Sequence, residues 1–84
     1  METREAAVPV GSLKPGETGT IVGLSGGRSF TARCLALGCI PGTEIQMERN
    51  AGRGPVVVVV RGVRLALGRD ESMRLTVAAQ DSEL

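Results

Sequence analysis

The sequence predicts an all-β fold: a small, strongly bent, partly open barrel of about five strands, with one short helix inserted between the first and second main strands. Three observations carry this. The apolar residues are almost wholly aliphatic, with one Phe and no Tyr or Trp. Short β-branched runs recur at close intervals, separated by glycine- and proline-bearing turns. Only residues 28–37 space their apolar side chains as a helix does. The 84 residues are enough for one core and too few for a second.

Residues 1–7 are polar and aperiodic and are expected to form a flexible N-terminal tail. The folded domain is expected over 8–78, with a second flexible tail over 79–84. Val8-Pro9-Val10 reads as a short extended segment at a sheet edge, where a proline is tolerated. Ser12-Leu13-Lys14 suits one helical turn. Pro15-Gly16 then suits the centre of a type II turn, because proline presets the first φ and glycine accepts the positive second one.

Residues 18–24 form the first main strand, carried by Thr20, Ile21 and Val22. Ser25-Gly26-Gly27 breaks it. In the helix that follows, Phe30, Cys34 and Leu37 fall on one face, and Arg28 and Arg33 fall away from it. Ser25 or Ser29 could cap its start. Gly38 ends the helix through the left-handed region. Pro41-Gly42 repeats the earlier turn and launches a strand over 43–49, where Ile45 and Met47 alternate with Glu44, Gln46 and Glu48.

A loop over 50–55 leads to a third strand at 56–61. Arg61-Gly62 then provides a two-residue hairpin turn into a fourth strand over 63–67. There Val63, Leu65 and Leu67 share a face. Residues 68–72 make a turn or a single helical turn, and 74–78 form the closing strand. An SH3-like barrel matches this order best, with an OB-type barrel as runner-up.

The chemistry is mostly exclusion. Without any histidine, the chain lacks the commonest general base and the commonest metal ligand. Cys34 and Cys39 alone cannot build a four-ligand zinc or iron–sulfur set, and no carboxylate lies within four residues of either. Both are read as reduced, packing thiols of a cytosolic protein. No lysine-bearing phosphate loop is present, and a single Phe supplies no stacking platform for nucleic acid. No stretch is long enough to cross a bilayer as a helix. The expectation is therefore no enzyme, no cofactor, no bound metal and no nucleic-acid partner.

What remains is surface. The net charge is +1, but the arginines gather in the middle of the chain and the acidic residues near its ends. In the run Val56-Val57-Val58-Val59-Val60, alternation turns Val57 and Val59 outward if the others face the core. Such a pair needs a cover, either from the rest of the fold or from an interface with a partner or a second copy.

Several stretches, in order, resemble one family. They are Leu13-Lys14-Pro15-Gly16; Arg33-Cys34-Leu35-Ala36-Leu37-Gly38-Cys39-Ile40-Pro41-Gly42-Thr43-Glu44-Ile45; Gly54-Pro55-Val56; and Arg61-Gly62-Val63-Arg64-Leu65-Ala66-Leu67. Over about residues 8 to 78 the chain is similar to the FeoA family of small cytosolic proteins of bacterial ferrous iron transport. It departs from the family pattern at Val57 and Val59, where polar residues are usual, and at Gly54, where an acidic one is.

The resemblance implies an SH3-like barrel without catalytic activity. Such a protein is expected in the cytoplasm, docked on the GTP-binding cytoplasmic domain of the FeoB transporter and meeting the membrane only through it. The docking surface is expected on the helix and the neighbouring hairpin, at Arg28, Phe30, Arg33, Leu37, Val57 and Val59. The same domain type also ends iron-dependent transcriptional regulators; a free-standing protein is the better reading here. The alternatives are a self-associating β-module and, behind it, a nucleic-acid-binding small barrel.

Overall fold

The computed structural model describes residues 7–79. Of the tails expected over 1–7 and 79–84, residues 1–6 and 80–84 lie outside the described residues. Ala7 and Ala79, placed in those tails by the sequence, are strand residues: Ala7 pairs with Ala78 and Ala79 with Gly19.

The strands are β1 (Ala7–Pro9), β2 (Thr18–Leu24), β3 (Glu44–Arg49), β4 (Val56–Val60), β5 (Val63–Leu67) and β6 (Leu75–Ala79). A 3-10 turn spans Val10–Ser12, helix α1 spans Arg28–Ala36 between β2 and β3, and the single-turn α2 spans Arg69–Ser72. All strands join one antiparallel sheet in the order β1-β6-β2-β3-β4-β5. The count is thus six rather than about five, because the β1 segment pairs fully along the edge of β6. Among the described residues, strands β1 and β5 are the two free edges.

Two bulges bend the sheet. Between Ile21 and Gly23 the register of β2 against β6 shifts, leaving Val22 as the extra residue. Between Met47 and Arg49 the register of β3 against β4 shifts, leaving Glu48 as the extra residue. Each bulge sharpens local twist, and that lets one sheet wrap around an aliphatic core. The wrap is closed by polar ties rather than by strand pairing. Asn50 Nδ2 donates to the Gly11 and Leu13 carbonyls, both at 2.9 Å, and its Oδ1 accepts from Arg69 Nη2 at 3.1 Å. Gly11 is packed so closely on buried Ser72 that an added Cβ would collide with the serine Oγ.

The two Pro-Gly turns hold opposite ends of the β2–β3 pair. Glu17 N–H donates to Lys14 O at 2.9 Å and Thr43 N–H to Ile40 O at 3.0 Å, with Gly16 and Gly42 at φ 92° and 95°. Each turn then bonds to the other strand. Gly16 donates to Met47 O and Gly42 to Ile21 O, both at 2.8 Å.

Helix α1 starts at Gly27 without a side-chain cap, so neither Ser25 nor Ser29 serves there. It ends as a Schellman motif. Gly38, at φ 90°, donates to Leu35 O at 3.1 Å, and Cys39 donates to Cys34 O at 2.9 Å. The apolar contact that accompanies this motif is the Cys34–Cys39 pair, both fully buried.

Two further expectations shift. The single helical turn falls at Val10–Ser12, not 12–14, because Leu13 is already extended ahead of Pro15 (ψ 145°). Val63 pairs with Val60 but is 48% exposed, since its place beside the hairpin turn carries it past the core that buries Leu65 and Leu67.

Candidate docking surface

The six residues that the sequence assigns to a partner surface separate into two groups. Phe30 and Cys34 plant α1 in the core with Ile21, Ile45 and the inward valines of β4. Phe30 is 5% exposed and Leu37 half-buried, so both shape the helix seat rather than its outer surface. Arg33 stands over the Phe30 ring with its guanidinium carbon 5.8 Å from the centroid. It also donates to Glu71 Oε1 at 2.8 Å, tying α1 to α2. The same carboxylate accepts the Gly68 N–H at 3.0 Å. The hydrogen bond to Arg33 and then that to Gly68 hold the Glu71 carboxyl below its usual range, and Glu71 in turn raises Arg33. Arg33 is thus committed.

Arg28 is not. It is exposed in the first turn of α1 and has no ion-pair partner among the described residues. It borders an open groove of about 550 Å³ lined by Gly26, Gly27, Thr31, Ala32 and Leu35. Among the described residues no acidic side chain lines this groove. Leu35 is 48% exposed along it. The sequence named Arg28 and missed the rest, because the apolar spacing of α1 picks out the buried stripe. The signal was the apolar pair Ala32 and Leu35 at the spacing that continues from Arg28.

Val57 and Val59 belong elsewhere. They alternate with the buried Val56, Val58 and Val60 and so face away from the core and α1. Among the described residues neither the helix nor another strand covers them. Arg64 Nε on β5 donates to Glu48 Oε1 and Oε2 on β3 at 2.8 and 2.9 Å. Since β4 lies between those strands, the ion pair must cross its outward face. Both valines are half-buried as a result. Val59 also lines a groove of about 470 Å³ with Thr18, Gln46 and Arg61.

The thiols are chemically quiet. Burial, and next the neighbouring Cys39, pushes the Cys34 thiol up to about 11; burial likewise raises Cys39. Both are protonated at neutral pH and make poor nucleophiles. Among the described residues no three His, Cys, Asp or Glu side chains gather closely enough to hold a metal ion, and no helix is long and apolar enough to cross a membrane. The arrangement offers surfaces, not a reaction centre.

Comparison with known proteins gives the same outline. The family model for the FeoA domain matches residues 8–79. A crystal structure of an iron uptake regulatory protein (FeoA) is 31% identical with a TM-score of 0.81, covering 89% of this chain and 100% of that one. The solution structure of the Chlorobium tepidum FeoA protein is 22% identical with a TM-score of 0.82, covering 90% and 73%. Stenotrophomonas maltophilia FeoA, crystallised with zinc and put forward as a prokaryotic SH3-domain activating factor of ferrous iron transport, is 22% identical with a TM-score of 0.74, covering 84% and 93%. No curated protein matches the chain. At 22% identity the last two likenesses speak for the SH3-like fold alone.

Proposed function

Because the chain belongs to the FeoA family, and so is a non-catalytic accessory domain linked to ferrous iron transport, we propose that it works in the cytoplasm by docking on the GTP-binding domain of an FeoB-type transporter. The observation that supports this most is the groove beside α1. Among the described residues, a guanidinium without an ion-pair partner stands at one end of a mostly apolar trough that no acidic side chain lines. A partner presenting an apolar side chain next to a carboxylate would satisfy both features. Arg28 is the charged contact on this reading. Phe30, Arg33 and Leu37 contribute by fixing how α1 sits, and Val57 and Val59 offer a separate contact on the outer sheet.

Retention of the chain on the transporter's immobilised soluble GTPase domain, with and without GTP, is the test. Wild type is expected to be retained and Arg28→Glu to be retained less, with its loss greatest at low salt. Absence of retention in both nucleotide states would remove the docking reading. Deletion of the gene should lower Fe(II) uptake at limiting iron.

A further inference from the structure

We propose that the free edge of β5 pairs with the same edge of a second copy, as an antiparallel two-strand junction centred on Leu65. The starting point is the hairpin. With a two-residue turn at Arg61-Gly62, Val60 and Val63 form the closing hydrogen-bonded pair, and the ladder alternates from there. Val63, Leu65 and Leu67 therefore turn their backbone groups toward β4, while Arg64 and Ala66 turn theirs to the open side. Β5 is the last strand of the sheet and pairs only with β4 among the described residues. It carries no proline, and its register against β4 has no shift. These are the devices that usually blunt an edge, and they are missing here.

The edge has a charge, but it is held back. Arg64 reaches across β4 to Glu48 rather than out beyond the sheet. The next residue with groups on the open side, Gly68, is turned inward: its N–H donates to Glu71 and its carbonyl accepts from Ser72. Arg64 and Ala66 are thus the pair left to offer, and one register uses both. Arg64 opposite Ala66 of the second copy, and the symmetric pair, form four backbone hydrogen bonds about a two-fold axis through Leu65.

That register is also favourable for side chains. Each arginine faces a small alanine instead of the other arginine, so no like charges meet. On the inner side, Leu65 meets Leu65 of the second copy, and Val63 meets Leu67. Val63 is 48% exposed in the single chain, and this pairing gives it a cover. A register one pair earlier would stack Arg64 on Arg64 of the second copy, and one pair later would need the occupied Gly68. The occupant that fits is a second copy of this chain, independently of any transporter partner.

The test is sedimentation velocity of the whole chain from micromolar to millimolar concentration, on wild type, Ala66→Lys and Ala66→Glu. Residue 66 is exposed, so both variants should fold, which circular dichroism checks. Wild type should show a reversible monomer–dimer equilibrium. Lysine at 66 faces Arg64 of the second copy twice and should weaken the dimer about tenfold, whereas glutamate should tighten it by a similar factor. Amide exchange at Arg64 and Ala66 should slow as concentration rises. A monomer at millimolar concentration overturns the proposal. So does a dimer that neither variant shifts, or that both shift in the same direction.

Discussion

The two faces of β4 are built from the same residue and do different work. Val56, Val58 and Val60 are at most 1% exposed and pack against Ile45, Met47, Leu65 and Leu67 in the core. Val57 and Val59, one step along the chain, lie half-buried beneath an ion pair strung between the neighbouring strands. The inner face is held by shape and exclusion of water, the outer by an ion pair whose arginine remains largely in water. A valine by itself specifies neither role; its neighbours across the sheet do.

Substitutions on the two faces should therefore separate widely. Val58→Ala leaves a cavity that close-packed neighbours cannot fill, and should cost about 2–3 kcal/mol in chemical denaturation. Equal costs for Val58→Ala and Val59→Ala would erase the distinction.

Alkali should strike the inner side next. The Cys34 thiol ionises at about 11 in the folded protein against an ordinary value of 9.0. Its contribution is complete below the ordinary value, and declines as pH rises from there through the folded one, because only the unfolded chain gains the charge cheaply. Thermal melts across that window should fall for wild type and fall less for Cys34→Ala.

Outer-face changes should be smaller still. Val59→Thr keeps the branched shape and adds a hydroxyl that water can reach, so it should cost less than about 1 kcal/mol. Glu48→Gln removes the charge that Arg64 crosses the strand to meet. With the Arg64 side chain 73% exposed, the loss should be about 0–1 kcal/mol and should vanish in high salt. A large, salt-insensitive loss would mean that the outer face is held by packing after all.

Much of this was legible in the sequence, and for identifiable reasons. The Pro-Gly turns, the Gly38 helix ending and the two-residue hairpin turn are local devices whose conformation follows from residue type. Their positions in the structure agree with the reading to within a residue or so. What could not be read depends on partners distant in sequence. Glu48 and Val22 look like ordinary strand residues, and only the pairing shows them to be bulges. The cover over Val57 and Val59 requires Arg64 and Glu48, 16 positions apart, to meet over a strand that belongs to neither. The α1 groove escaped for another reason: periodicity reveals what a helix buries, while Ala32 and Leu35 lie on what it presents.

The contact between the hairpin tip and the end of α1 has an electrostatic side. Arg61 sits at φ 52°, the lone described residue other than glycine with a positive φ, and its Cδ lies where a side chain at Gly38 would have to go. This lays a cationic side chain beside the C-terminal carbonyls of α1, the negative pole of the helix dipole. The helix's own last-turn cation, Arg33, is engaged by Glu71. The sheet thus supplies the counter-charge that the helix cannot spare, and anything that displaces the β4–β5 tip should loosen the end of α1 along with it.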